Sequence, residues 1–289
     1  MTIGAIDRPH RLHPPAPAPQ AAPLGPLTTM RILRKNPIET WTRAHFELPI
    51  LVGPTVLGNV AVVNDPKAIR RVLLDNAANY RKDALQKRIL GPGLGDSLLI
   101  TEGEEWRAQR RMLAPLFTPK TVASFAEAMA DCAKDLVARW LRLREGRVIN
   151  VQQEMARVTL EVLGRTIFSD GLARDPEEFM EAVTRYFDTI GRLDPFDLLD
   201  FPEWMPRWSR WRSKTALNFF ADAVSAIVER RRRLLAQNAE QVPRDILSLL
   251  LQARDPQTGE GLSNAEIYAN VVTFIGAGHE TTANALTWS

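Results

Sequence analysis

Two periods of hydrophobic and polar positions follow one another along the chain. Between Leu48 and Val63, alternating and β-branched residues broken by Gly53-Pro54 and Gly58-Asn59 predict a strand, a turn and a second strand. Beyond them the spacing is helical almost to the last residue, with helices expected near 66–76, 102–116, 119–144, 152–168, 176–191, 207–237, 244–253 and 264–289. Start signals reinforce several of these. Asp65-Pro66 sets an N-cap ahead of a proline at the first helical position. Thr101 with Glu104, Asp175 with Glu178, and Ser263 with Glu266 each match a capping box, in which two side chains satisfy each other's free backbone donors. Thr118-Pro119 and Val242-Pro243 mark further starts, and Gly146 and Gly171 suit the left-handed backbone of a helix end. No repeat points to a solenoid. The expected fold class is mainly α with a small β region near the N-terminus.

Residues 1–26 follow neither period. The run His13-Pro-Pro-Ala-Pro-Ala-Pro-Gln20 has nothing to bury, so a disordered or extended tail is expected, with residues 27–289 forming part of a single domain. His10 and His13 in that tail are read as solvated side chains rather than metal ligands. Charge is nearly balanced, 37 basic against 34 acidic side chains, too mild a surplus to imply nucleic acid as a partner. One cysteine, Cys132, allows no internal disulfide and favours a reducing compartment. No apolar run reaches the ~18 residues of a membrane span, and the N-terminus lacks a basic-then-apolar leader pattern. These features predict a soluble, cytoplasmic protein with no membrane span.

The last helix carries the chemistry. Ser263 and Glu266 cap it, and Leu262 and Ile267 sit where a hydrophobic staple forms. It then runs into Gly276-Ala277-Gly278-His279-Glu280-Thr281-Thr282. Two glycines inside a helix cost about 1 kcal/mol each relative to alanine, and they let something flat or small approach the backbone. Thr281, four residues after Ala277, has the spacing to bond back to that carbonyl. One reading is a buried site for water or oxygen; the other is a glycine-mediated helix crossing. His279-Glu280 opens the zinc pattern His-Glu-x-x-His, but position 283 is Ala283, so no metal site is expected. The Gly-x-Gly lies within a helix, not at the N-terminus where phosphate binds.

Ala277-Gly278-His279-Glu280-Thr281-Thr282 resembles the distal central-helix motif of the cytochromes P-450, Ala/Gly-Gly-x-Asp/Glu-Thr-Thr. Trp106-Arg107-Ala108-Gln109-Arg110 resembles that family's Trp-x-x-x-Arg element, whose spacing of four puts both side chains on one helical face. Its flanks Gly103-Glu104-Glu105 and Arg111-Met112-Leu113-Ala114-Pro115-Leu116-Phe117, Asn64-Asp65-Pro66, and Asn79-Tyr80-Arg81-Lys82 are similar too, in the same order. The resemblance spans roughly residues 45–289. It implies an incomplete cytochrome P-450 fold and a haem (heme) monooxygenase that inserts one oxygen atom of dioxygen into an apolar small-molecule substrate. An electron-transfer redox partner of ferredoxin or flavoprotein type would supply reductant.

By the same resemblance, Trp106 and Arg110, with Lys82 as a third group, would bind a haem propionate, and Ala277 and Gly278 would let porphyrin and dioxygen lie against the helix. Thr281 would hold the hydrogen-bond network that delivers protons, with Glu280 as its acid link toward solvent. Splitting an O–O bond calls for protons in a site that otherwise excludes water. Leu98, Leu99 and Ile100 would touch substrate; ordinary packing before a helix is the alternative for that trio. Arg230-Arg231-Arg232-Arg233 reads as a solvated helix end. Trp204, Trp208 and Trp211, after Asp194-Pro195-Phe196, read as a packing stripe, with an access lid as the alternative. The family's iron ligand lies in a Phe-x-x-Gly-x-x-x-Cys-x-Gly segment that this sequence does not contain. Cys132 has no such loop and is read as a packing residue. A truncated chain, inactive by itself, is therefore expected. A catalytically inactive helical protein that binds ligands or partners is the alternative.

Overall fold

A computed structural model of the chain describes residues 16–33, 35–55, 58–169, 176–189 and 208–289. His10, His13, Gly171, Asp175, the 194–196 segment and Trp204 lie outside the described residues, and for Trp208 and Trp211 only the backbone is described. Two compact units meet in the chain at Tyr80 and Arg81.

The N-terminal unit contains α1 (Pro26–Leu33), the single turn α2 (Ala44–Glu47), the strands β1 (Ile50–Thr55) and β2 (Gly58–Val63), and α3 (Pro66–Arg70). The strands form an antiparallel hairpin in register from Ile50 opposite Val63 to Thr55 opposite Gly58. Gly53 and Pro54 lie within β1 rather than in a turn, because a two-stranded ribbon consists only of edges, where proline's missing N–H is tolerated. The reversal leads instead into Gly58, at φ +99°. Asp65 caps α3 as expected, accepting from the Ala68 N–H at 2.8 Å. The helix then loosens into a π-helical turn, Arg71–Asp75.

In the second unit the helices are α4 (Ala84–Leu94), α5 (Gly103–Leu113), α6 (Pro119–Ala123), α7 (Ala126–Leu141), α8 (Val151–Ile167), α9 (Pro176–Thr189), α10 (Trp208–Gln237), α11 (Ile246–Gln252) and α12 (Asn264–Thr287). The mainly helical class with a small sheet is as expected. Helix α4 was not foreseen: Gly91-Pro92-Gly93 reads as a breaker. Yet Pro92 falls in the last turn, Asp83 caps the start, and the buried Tyr186 hydroxyl donates to the Gly93 carbonyl. The helix expected at 119–144 is interrupted at Ser124 and Phe125.

Two local readings fail for tertiary reasons. The Thr101–Glu104 capping box does not form: the buried Thr101 hydroxyl donates to the Ser97 carbonyl at 3.1 Å, Glu104 pairs with Arg107, and α5 begins instead at Gly103 with φ +61°. The four arginines do not form a solvated helix end either. Arg231 lies inside α10 and is 4% exposed; its Nη1 reaches Asp245 Oδ1 and Oδ2 at 2.7 and 2.6 Å, and its Nη2 donates to the Phe168 carbonyl at 2.9 Å. Asp245 also caps α11 through the Ser248 N–H at 2.8 Å.

Helix α8 lies along α12, and the main core gathers around them, with Leu160, Ile167, Phe220, Leu250, Val272 and Ile275 almost fully enclosed. A second cluster joins Cys132, Leu136, Met155, Val158 and Ala283. Cys132 is fully buried there, and that burial pushes its thiol above the usual range. It is a packing residue.

Candidate functional site

Helix α12 starts where its capping box dictates. The Ser263 N–H donates to Glu266 Oε2 at 2.8 Å, and the Glu266 N–H donates to Ser263 Oγ at 3.2 Å. Leu262 and Ile267 are both buried beside it. From there the apolar positions enter the core, and the Gly276–Thr282 stretch divides by direction. A Cβ on Gly276 would lie 2.3 Å from the Phe187 ring on α9, and one on Gly278 would lie 2.9 Å from Leu163 Cδ2 on α8. Both missing side chains thus let helices approach, which is the helix-crossing reading. The close contact that Gly278 permits is with Leu163.

His279 points the same way as Gly278. Its Nδ1 lies 3.1 Å from Thr159 Oγ1, and that hydroxyl's own proton serves the Met155 or Ala156 carbonyl at 2.9 or 3.0 Å. The network therefore assigns the imidazole proton to Nδ1 and makes Thr159 the acceptor. Burial holds His279 below the ordinary imidazole value, with the Glu280 carboxylate opposing.

Opposite these contacts, Ala277, Glu280, Thr281 and Thr282 are exposed. Thr281 Oγ1 donates to the Ala277 carbonyl at 2.5 Å, the back-bond anticipated from the spacing. The bond leaves the oxygen's lone pairs free to accept a proton-bearing group. Ala277 and Thr281 form a small, smooth strip one helical turn long.

On α5, Gln109, Met112 and Leu113 turn inward, while Trp106 and Arg110 turn out on the other face. Among the described residues neither the indole N–H of Trp106 nor the guanidinium of Arg110 has a hydrogen-bond partner. Lys82 does. Its Nζ donates to the carbonyls of Leu98, Leu99 and Thr101 at 3.1, 2.8 and 2.8 Å. Burial lowers its pKa, partly opposed by Glu102, which accepts from the Lys82 backbone and the Lys87 ammonium. The three hydrogens of an ammonium are thereby committed to the segment before α5. Of the trio in that segment, Ile100 belongs to the core, Leu98 packs against it, and Leu99 is exposed.

Sequence reasoning missed two buried amides, Gln109 and Asn270, which join α5, α12 and the 96–98 segment. The available signal was a polar residue at an inward position of each helix: Asn270 beside Val271 and Ile267, Gln109 between Trp106 and Met112.

The family profile of the cytochromes P-450 (Cytochrome P450) matches residues 55–289. A bifunctional cytochrome P-450/NADPH–P-450 reductase 1 from Bacillus subtilis (strain 168) is 28% identical over 95% of this chain and 26% of its own length. Cytochrome P-450 4F3 of Mus musculus is 32% identical over 82% of this chain and 47% of its own. The cyclooctat-9-en-7-ol 5-monooxygenase of Streptomyces melanosporofaciens is 31% identical over 84% and 50%. The chain thus spans half or less of the length of these relatives. With the Trp106–Arg110 pair, the Ala277–Thr281 strip and the profile match in one chain, it belongs to the cytochrome P-450 family.

Proposed function

We propose that the protein containing this chain is a haem-dependent monooxygenase acting on an apolar organic substrate, with reductant supplied by a ferredoxin- or flavoprotein-type partner. The observation that carries the reading is Thr281, an exposed hydroxyl anchored to the Ala277 carbonyl on a strip of small residues, while the inward positions beside it are taken by Phe187, Leu163 and Thr159. Haem, the family's cofactor, supplies when bound the redox-active iron at which dioxygen is activated. The donors present suit it. Trp106 and Arg110, without hydrogen-bond partners among the described residues, are a neutral and a charged donor on one face, the set that a propionate carboxylate accepts from. Ala277 carries no side chain beyond Cβ, so a flat ring can lie against the helix there. The thiolate is proposed to come from outside residues 1–289, since Cys132 is enclosed in apolar packing.

Each residue then has a separate task. Trp106 and Arg110 hold and orient the cofactor. Thr281, already donating its own hydrogen to a backbone carbonyl, accepts from a water and keeps that water where protons are consumed. Glu280 next to it is exposed and links the water to solvent. Lys82 acts at one remove by holding the carbonyls of Leu98, Leu99 and Thr101. Leu99, exposed on that segment, meets the apolar substrate.

The test uses the full-length protein, its reductant, and an apolar compound that the wild type oxidises in a screen of fatty acids and terpenes. Thr281→Ala is expected to retain haem but form less product per reductant oxidised, the difference being released as hydrogen peroxide. Thr281→Ser, which keeps the hydroxyl, is expected to stay near wild type. Unchanged coupling in Thr281→Ala overturns the assignment.

A further inference from the structure

The segment 96–101 is neither helix nor strand, so its backbone groups need partners from elsewhere. Inside the segment, the Ser97 carbonyl accepts from the Ile100 and Thr101 N–H groups at 2.8 and 2.9 Å. Outside it, Asn270 Oδ1 on α12 accepts from the Leu98 N–H at 3.0 Å, and Gln109 Nε2 on α5 donates to the Asp96 carbonyl at 2.9 Å. Lys82 takes the carbonyls of Leu98, Leu99 and Thr101. The segment is thus gripped from two helices, α12 and α5, and from Lys82 in the stretch before α4.

Two of those grips are fully buried, and their amides leave no hydrogen unused. Asn270 Nδ2 donates to the Glu266 carbonyl at 2.8 Å and to Gln109 Oε1 at 3.2 Å. Gln109 Nε2 donates to Asp96 and to Glu266 Oε1, the latter at 3.1 Å. Flipping either amide would set oxygen against oxygen or nitrogen against an N–H, so both orientations are determined. A buried polar network in which every donor is met is rigid and specific, whereas one missing member leaves the rest desolvated and unpaired. Nothing about helix packing requires two amides at these positions; apolar residues of similar volume would fill the space. What the amides add is a fixed position for the chain at Asp96 and Leu98.

We propose that Asn270 and Gln109 are positioning residues for substrate selection. They hold residues 96–101 as a fixed wall, with Leu98 seated on the core, and thereby set where the exposed Leu99 meets an apolar substrate. The selection part rests on the monooxygenase reading above; the clamp does not.

The experiment compares Asn270→Ala and Gln109→Met with wild type in the full-length protein by two readouts. Hydrogen exchange of the peptide covering 96–102 needs no cofactor turnover. Loss of one buried bond is expected to accelerate the Leu98 amide by about tenfold or more, with amides of α10 unchanged. The second readout is the ratio of regioisomeric products, with kcat and KM, for dodecanoic acid or the best alternative that the wild type oxidises. Faster exchange together with an altered product ratio and near-normal haem content supports the proposal. Faster exchange with an unchanged product ratio and unchanged KM overturns selection while leaving the monooxygenase reading intact. Unchanged exchange overturns the clamp. A wild-type protein that oxidises nothing overturns the monooxygenase reading and selection with it, while exchange still decides the clamp. Should Asn270→Ala fail to fold, Gln109→Met, which removes the donor to the Asp96 carbonyl, decides alone; exchange at 96–102 as slow as in wild type in that variant overturns the clamp.

Discussion

Replacing the two glycines of α12 separately by alanine asks which neighbour each one was emptied for. Carbon atoms pack best at ~3.5–4.0 Å, and a Cβ at Gly276 would meet Cε1 and Cζ of Phe187 at 2.3 and 2.4 Å. Relief requires moving a whole ring that is already edge-on to Tyr186, 5.2 Å between centroids. Overpacking of this kind costs about 2–3 kcal/mol, near the upper end of its usual range. Alanine's helix propensity returns about 1 kcal/mol. The expected net loss for Gly276→Ala is about 1–2 kcal/mol, a sizeable share of a domain stability of about 5–15 kcal/mol. At Gly278 the obstacle is the terminal Leu163 Cδ2 at 2.9 Å, which a small rotation moves aside. Strain and propensity then nearly cancel, and Gly278→Ala is expected within about 0.5 kcal/mol of wild type. Urea unfolding of the cofactor-free full-length proteins, followed by far-ultraviolet circular dichroism, measures both. A Gly276→Ala protein as stable as wild type would refute the steric argument. A Gly278→Ala protein that keeps its stability but loses haem would show that Gly278, and not only Ala277, faces the porphyrin.

Three further outcomes follow from particular contacts. Arg110→Ala is expected to weaken haem retention roughly ten- to a hundredfold, since a charge-assisted bond contributes about 1.5–3 kcal/mol; full haem loading in both Arg110→Ala and Trp106→Ala rules the propionate assignment out. His279 has its folded pKa below the ordinary 6.5, so the unfolded chain takes up the proton first. Its contribution is therefore complete above about pH 6.5 and declines as pH falls toward the folded value; His279→Asn, which keeps a donor for Thr159, should flatten stability against pH in that window, and superimposable curves would contradict this. Asp245→Ala removes a carboxylate paired with the buried Arg231 guanidinium and is expected to cost about 3–5 kcal/mol, whereas the exposed Arg233→Ala should stay within about 0.5 kcal/mol by denaturant midpoint.

What was legible in the sequence was whatever is decided within a few residues. The Ser263–Glu266 box, the Asp65 cap and the Thr281 back-bond are contacts over three or four positions, and each formed as read. What escaped was decided by distant partners. Helix α4 survives Gly91-Pro92-Gly93 with help from a tyrosine 93 residues further on. Arg231 is buried because Asp245 and the Phe168 carbonyl meet it, and nothing in a run of four arginines says which one turns inward. Thr101 had two acceptable roles, N-cap or partner of Ser97, and tertiary packing chose the second. The site shows the same division. The motif names Ala277, Gly278, His279 and Thr281, but the side each faces depends on Phe187, Leu163 and Thr159, residues of other helices.

Glu266 spends its two oxygens on different scales of the structure. Oε2 closes the first turn of its own helix, while Oε1 holds an amide 157 residues earlier in the chain. A helix start is ordinarily closed by side chains within its own first turn. Here the carboxylate that completes it is also held by α5, so the first turn of α12, Gln109 and residues 96–98 are bound into one cooperative unit. Such a unit opens and closes together, with a free energy closer to that of the whole domain than to that of a fraying end. The first turn of α12 is then expected to exchange its amides as slowly as the core around it, not as a fraying end.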